Sequence, residues 1–131
     1  MIRPFLCLLA LAAPAAAQET VPAPDYFVET AMDTSTAQIV AVNCPTLSID
    51  PVAMSQRTEA TIAALEADGF TPENLATRME DPSEAIGVLQ NAFRARHGLS
   101  DDVTEAAVCA AGKREIAEGT ALGELLVEVG E

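Results

Sequence analysis

Two cysteines, one histidine and a cluster of four basic residues are the side chains most able to do chemistry. Cys44 and Cys109 lie 65 positions apart. Disulfide oxidoreductases place their cysteines close together as C-x-x-C, so that a helix N-terminus activates the first thiol. This separation instead suits a structural Cys44–Cys109 bridge. His97 is the sole histidine, and a nucleophile–base–orienter arrangement depends on an imidazole beside the nucleophile. His97 precedes Gly98 at the predicted end of a helix, where a protonated ring gains from the helix dipole, a sufficient structural reason for its presence. No residue is therefore assigned a catalytic role. No H-x-x-x-H, C-x-x-C or calcium-loop spacing is present, so no metal ligands are assigned. The glycines near Gly119 and Gly123 lack a phosphate-loop pattern, and no cofactor is expected. Paired carboxylates can hydrolyse glycosides. With twenty acids in the chain, nearness of two of them carries no specificity.

Arg94, Arg96, Lys113 and Arg114 are four of only seven basic residues. They flank Gly98 in sequence and form a candidate patch for an acidic partner. The plainer reading puts Arg94 and Arg96 at a helix C-terminus and pairs Lys113 and Arg114 with neighbouring acids. The formal charge of −13 argues against nucleic acid, which is bound through clustered Lys and Arg. An anionic membrane surface is disfavoured on the same ground.

Elements must hold these residues in place. Arg3 and the apolar run Phe5–Ala13, followed by Pro14 and Ala15-Ala16-Ala17, make a signal-peptide pattern over residues 1–17. The run is too short to serve as a spanning helix, which needs about 20 apolar residues. Export as a soluble protein without a membrane anchor is the expectation. Cys7 leaves with the leader, and the remaining even pair in an oxidising compartment favours the bridge. Leu, Ile, Val and Phe supply about 23% of residues 18–131, slightly above the roughly 20% typical of disordered chains. Such a core benefits from a covalent staple.

Residues 18–24 carry two prolines and read as a flexible leader. A single domain over 25–131 follows. Its first helix runs from Asp25 with Val28, Met32, Ser35, Ile39 and Val42 on one face, although Ile39–Val42 is also compatible with a short strand. Pro45 ends it. Asp50-Pro51, Thr71-Pro72 and Asp81-Pro82 are three helix starts. They open a helix with Met54, Thr58, Ile62 and Leu65 inward and Gly69 at its end, a short one to Met79, and one with Ile86, Leu89 and Phe93 inward up to Gly98. Asp101 or Asp102 caps a fifth helix to Glu118, with Val103, Ala106, Ala107, Ala110 and Ile116 as its apolar residues. Gly112 weakens that helix or permits close packing within it. Thr120 caps a last helix carrying Leu122, Leu125, Leu126 and Val129. No hairpin chemistry is visible. The fold class is all-α: a compact bundle of five or six short helices closed by one disulfide.

The segments Ala107–Ala117 (AVCAAGKREIA) and Thr120–Leu126 (TALGELL), with Asn43-Cys44-Pro45 and Ala95-Arg96-His97-Gly98-Leu99, resemble a family of exported proteins of Rhodobacter-type alphaproteobacteria, defined as a domain of unknown function. Where that family often has Ser before an Ile/Leu-Gly step, this chain has Gly119-Thr120-Ala121, which keeps a capping hydroxyl. The resemblance implies a periplasmic, helical, disulfide-bonded protein and brings no activity. Three functional expectations result: a non-enzymatic periplasmic protein that binds or accessorises another protein, an acid-stress holdase, and an enzyme with an unrecognised carboxylate site.

Overall fold

The N-terminal helix is the spine of the structure, a computed structural model that describes residues 19–130. The expected leader 1–17 and Cys7 lie outside the described residues. Helix α1 (Asp25–Asn43) is followed by strand β1 (Leu47–Ile49), helices α2 (Pro51–Ala67), α3 (Leu75–Arg78), α4 (Ser83–Arg96) and α5 (Glu105–Glu118), a 3-10 turn (Gly123–Leu125) and strand β2 (Leu126–Glu128). The protein is mostly helical. Cys44 and Cys109 form the one disulfide, with Cα atoms 5.2 Å apart.

Local signals place most boundaries. Asp50 caps α2 by accepting from the amides of Val52 (2.9 Å) and Ala53 (3.1 Å), with Pro51 in the first turn, where its missing N–H is no loss. Asp81 accepts from the Ser83 amide at 2.9 Å just ahead of α4. Between these, Thr71 and Asn74 cap each other reciprocally, but the helix expected from Thr71 to Met79 contracts to the single turn Leu75–Arg78. Helix α5 begins later than expected. The Thr104 hydroxyl, not Asp101 or Asp102, accepts from the Ala107 amide, and Asp101 turns to Arg94 instead.

Two cores lie along α1. The larger holds Met32, Ala37, Val40, Cys44, Leu47, Phe93, Val108, Ala111, Leu122, Leu125 and Leu126. The smaller holds Leu65, Phe70 and Met79, with Val21, Tyr26 and Phe27 against them. The buried residues of α1 are Val28, Met32, Thr36, Ala37 and Val40, so the face rotates away from the expected Ser35, Ile39 and Val42. Spacing of four from Met32 through Thr36 and Val40 leads directly to Cys44, and the disulfide aims that stripe at α5. In α5 the inward positions are Val108, Ala111, Gly112 and Glu115, not Ala106, Ala107 and Ala110. In α2, Leu65 is buried but Ile62 is half exposed.

Two further expectations are overturned. Val21, within the expected flexible leader, is paired with the α3 end: its amide donates to Arg78 O (2.7 Å) and its carbonyl accepts from Glu80 N (2.8 Å). The segment expected as a last helix is instead a 3-10 turn and a strand. β2 runs antiparallel to β1, with Leu47 opposite Glu128 and Ile49 opposite Leu126. The partners come from opposite ends of the domain, so no hairpin turn announces them. Once Leu47 and Leu126 are both buried in the larger core, their backbones are neighbours, and pairing satisfies amides that burial would otherwise strip of water.

Candidate functional site

The four basic residues do not share a partner. Arg94 reaches Asp101 at 3.4 Å, Arg114 reaches Glu118 one helical turn on at 2.8 Å, and Arg96 reaches Glu115. Lys113 makes no ion pair among the described residues. The Arg94 and Arg114 pairs are exposed, the kind that contributes little to stability.

Arg96 leads to the centre of the site. Glu115 is completely buried, although it stands in the charged run Lys113-Arg114-Glu115. The turn of α5 that places Val108, Ala111 and Gly112 inward carries Glu115 inward with them. Its Oε1 meets Arg96 Nη2 and, at 2.6 Å, His97 Nε2. Its Oε2 accepts from the Thr120 hydroxyl. That hydroxyl also accepts from the Gly123 amide at 3.0 Å, and the Thr120 amide donates to Glu115 O at 3.2 Å. The His97 side chain is only 2% exposed and its ring lies 4.6 Å from that of Phe93. Burial is the largest influence on the Glu115 carboxyl and opposes its ionisation. The hydrogen bonds from Thr120 and His97, with the charge of Arg96, together outweigh burial and hold the group below the usual carboxylate range.

His97 thus does close α4, as its position before Gly98 suggests, but its ring turns into the core. The sequence signal that could have found the pair is the placement of Glu115 on the Val108–Ala111–Gly112 stripe. An acid on a buried stripe demands a partner, and the lone histidine is one of few available.

A cleft of about 400 Å³ opens beside this cluster, lined by Glu29, Asp33, Leu89, Arg96, Thr120 and Leu122 among others. Arg57 of α2 contacts Asp33 at 3.4 Å and donates to Ala121 O at 3.0 Å, tying α1, α2 and the C-terminal segment together. Burial raises the Asp33 carboxyl; Arg57 opposes the rise, while the charges of Glu29 and Glu115 add to it. No group of three or more His, Cys, Asp or Glu is arranged for a metal ion among the described residues.

A second, larger hollow of about 700 Å³ lies between the C-terminal half of α1, the end of α4 and the segment leading into α5. Ile39, Val42, Pro45, Phe93, Leu99 and Val103 form much of its wall. Ile39, Val42 and Val103 are 56%, 85% and 41% exposed. Glu105 and Arg94 line it as well, and the exposed Asp101, which pairs with Arg94, and Asp102 lie in the chain between Leu99 and Val103. None of the described helices is long and apolar enough to cross a membrane.

A model of a family of unknown function, DUF5333, matches residues 19–127. No curated protein and no solved structure matches the chain. The matched span takes in both disulfide cysteines, the His97–Glu115 pair and every helix of the described residues. The chain belongs to the DUF5333 family.

Proposed function

We propose that this is an exported, periplasmic, non-enzymatic protein of an alphaproteobacterium that binds another protein through the groove beside Ile39, Val42 and Val103. The observation that carries the reading is the exposure of these apolar side chains around one hollow of about 700 Å³. Contiguous exposed apolar surface on a small acidic protein is a feature of interaction sites. Glu105 lines the groove, the exposed acids Asp101 and Asp102 lie in the chain between its lining residues Leu99 and Val103, Asp101 pairs with the lining Arg94, and the chain carries −13. The complementary partner is a segment with apolar anchors flanked by Lys or Arg. Cleavage after Ala17 accompanies this reading, and intact-mass measurement of the exported protein tests it.

A photo-crosslinking residue at Val42 tests the groove against one at Glu66, exposed on α2. The expected result is a discrete adduct from position 42 that a basic, apolar partner peptide competes away, with no such adduct from position 66. A V42D substitution abolishes the adduct formed from a crosslinker at Val103. Equal labelling from both faces overturns the reading.

A second reading, an acid-stress holdase, is favoured by one observation: a buried carboxylate, Glu115, fastens α4 and the C-terminal segment to α5. Protonating that group loosens the structure from inside and exposes apolar surface. Suppression of client aggregation at acid but not neutral pH supports this reading, and its absence at both excludes it.

A further inference from the structure

The geometry points to the Glu115–His97–Arg96–Thr120 cluster as an acid-sensitive latch: its release frees the segment Gly98–Thr104, one wall of the groove, and the turn Thr120–Gly123. The latch goes beyond the binding reading and is tested without any partner.

Three observations carry it. First, the cluster is a single joint between three pieces of chain. His97 and Arg96 arrive from the end of α4, Glu115 from α5, and Thr120 from the C-terminal segment, and all three converge on one carboxylate. Second, the segment after His97 has few other attachments. The Leu99 amide donates to Arg94 O at 2.8 Å, but the amides of residues 100–103 make no backbone hydrogen bond among the described residues. Leu99 packs against the larger core, whereas Ser100 through Thr104 are exposed. Gly98 sits at φ +62°, a conformation glycine adopts without strain, so the chain can swing there. Third, Leu99, Val103 and Thr104 line the groove, so movement of the segment changes its shape.

The charges around Glu115 set the direction of the switch. From α4 it faces Arg96 and His97. From α1 it feels Asp33, which Arg57 of α2 pairs, with Glu29 behind. On its own helix Arg114 is engaged by Glu118. The C-terminal segment adds only the uncharged Thr120 hydroxyl. Arg96, His97 and Thr120 therefore supply what touches the carboxylate, and no second carboxylate does. Because its folded pKa lies below the unfolded value, its contribution is complete above the unfolded carboxylate range, near pH 4.3. It is lost as pH falls through the folded value. The neutral acid then no longer holds the Arg96 guanidinium and the buried His97 ring, and the least costly response is for His97 to turn out to water and carry Gly98–Thr104 with it. The Cys44–Cys109 bridge keeps α1 tied to α5 throughout.

The test follows the Glu115 carboxyl by NMR across an acid titration of the disulfide-intact mature protein, with amide hydrogen exchange read at each pH. As Glu115 titrates, protection of the Leu99, Thr120 and Gly123 amides is expected to fall at least about tenfold more than that of Val40 in α1. An R96Q variant, which keeps Glu115 and His97 but removes one cation, is expected to shift the loosening to higher pH. In E115Q the same amides are expected to be weakly protected already at neutral pH, with no further acid step. Simultaneous loss of protection at Val40, unchanged protection at the other three amides while Glu115 titrates, or an R96Q transition at the wild-type pH would each overturn the latch.

Discussion

Tyr26 is the single tyrosine of the chain, and its hydroxyl donates to Asp68 Oδ2 at 2.8 Å. Burial, that hydrogen bond and the carboxylate charge all favour the neutral phenol, pushing its pKa up to about 12. A lone phenol reports cleanly in the ultraviolet. Alkaline titration of the wild type should show an absorbance step near that value, and D68N should return it towards about 10. An unchanged step in D68N would mean that α1 and the α2 terminus are not joined there. Tyr26 does not betray its partner in the sequence, and Glu115 does so only once the inward stripe of α5 is known. Periodicity identifies which residues share a helix face, but a hydrogen bond across 42 positions depends on how two helices dock. His97 is the intermediate case. Its place at the end of α4 was legible from Gly98, while the inward turn of its ring was set by the buried carboxylate on another helix.

Glycines decide how closely the elements approach. A Cβ on Gly112 would clash with Leu47 Cδ1 and lie 2.7 Å from Val40 Cγ1, so α5 can rest on α1 and β1 only because this position is bare. A Cβ on Gly123 would strike the Glu115 carbonyl and come within 2.8 Å of Ile116 N, backbone atoms that cannot rotate aside. On Gly87 in α4 it would meet nothing within 4 Å. Helix propensity alone makes Gly→Ala favourable by about 1 kcal/mol inside a helix, whereas overpacking costs about 1–3 kcal/mol. Urea midpoints should therefore rank G87A above wild type, G112A below it and G123A lowest. A stabilising G112A would contradict the close α5–α1 contact. The sequence offered both readings of Gly112, a weak point or a close contact, and packing selected the second. Helix starts at Asp50-Pro51 and Asp81-Pro82 were legible because capping acts within one turn. The C-terminal strand was not. Leu122, Leu125, Leu126 and Val129 satisfy a helical stripe, but β1 offers Leu126–Glu128 a paired edge, and pairing prevails over a short, isolated helix.

Across the whole molecule the disulfide is the strongest single restraint. It closes a loop of 65 residues, which in the chain-entropy model disfavours the unfolded state by about 4 kcal/mol. Set against typical net stabilities of about 5–15 kcal/mol, that is a large share for a chain with so few bulky apolar residues. The C44A/C109A double variant should lose about 3–4 kcal/mol in urea unfolding at neutral pH; a loss below about 1 kcal/mol would show that the cores suffice without it. By itself the sequence determined the helical class, the helix starts at Asp50 and Asp81, the stops at Gly69 and Gly98, and the pairing of Cys44 with Cys109. Caps, prolines and glycines act through their immediate neighbours, and Cys44 and Cys109 are the two cysteines of the described residues. Only the tertiary structure decided which face of α1 is buried, that β1 and β2 pair, and that the acid Glu115 lies buried against His97 and Arg96. Those outcomes depend on surfaces brought together from distant parts of the chain, where the stripe that buries the most apolar area carries its polar members inward with it.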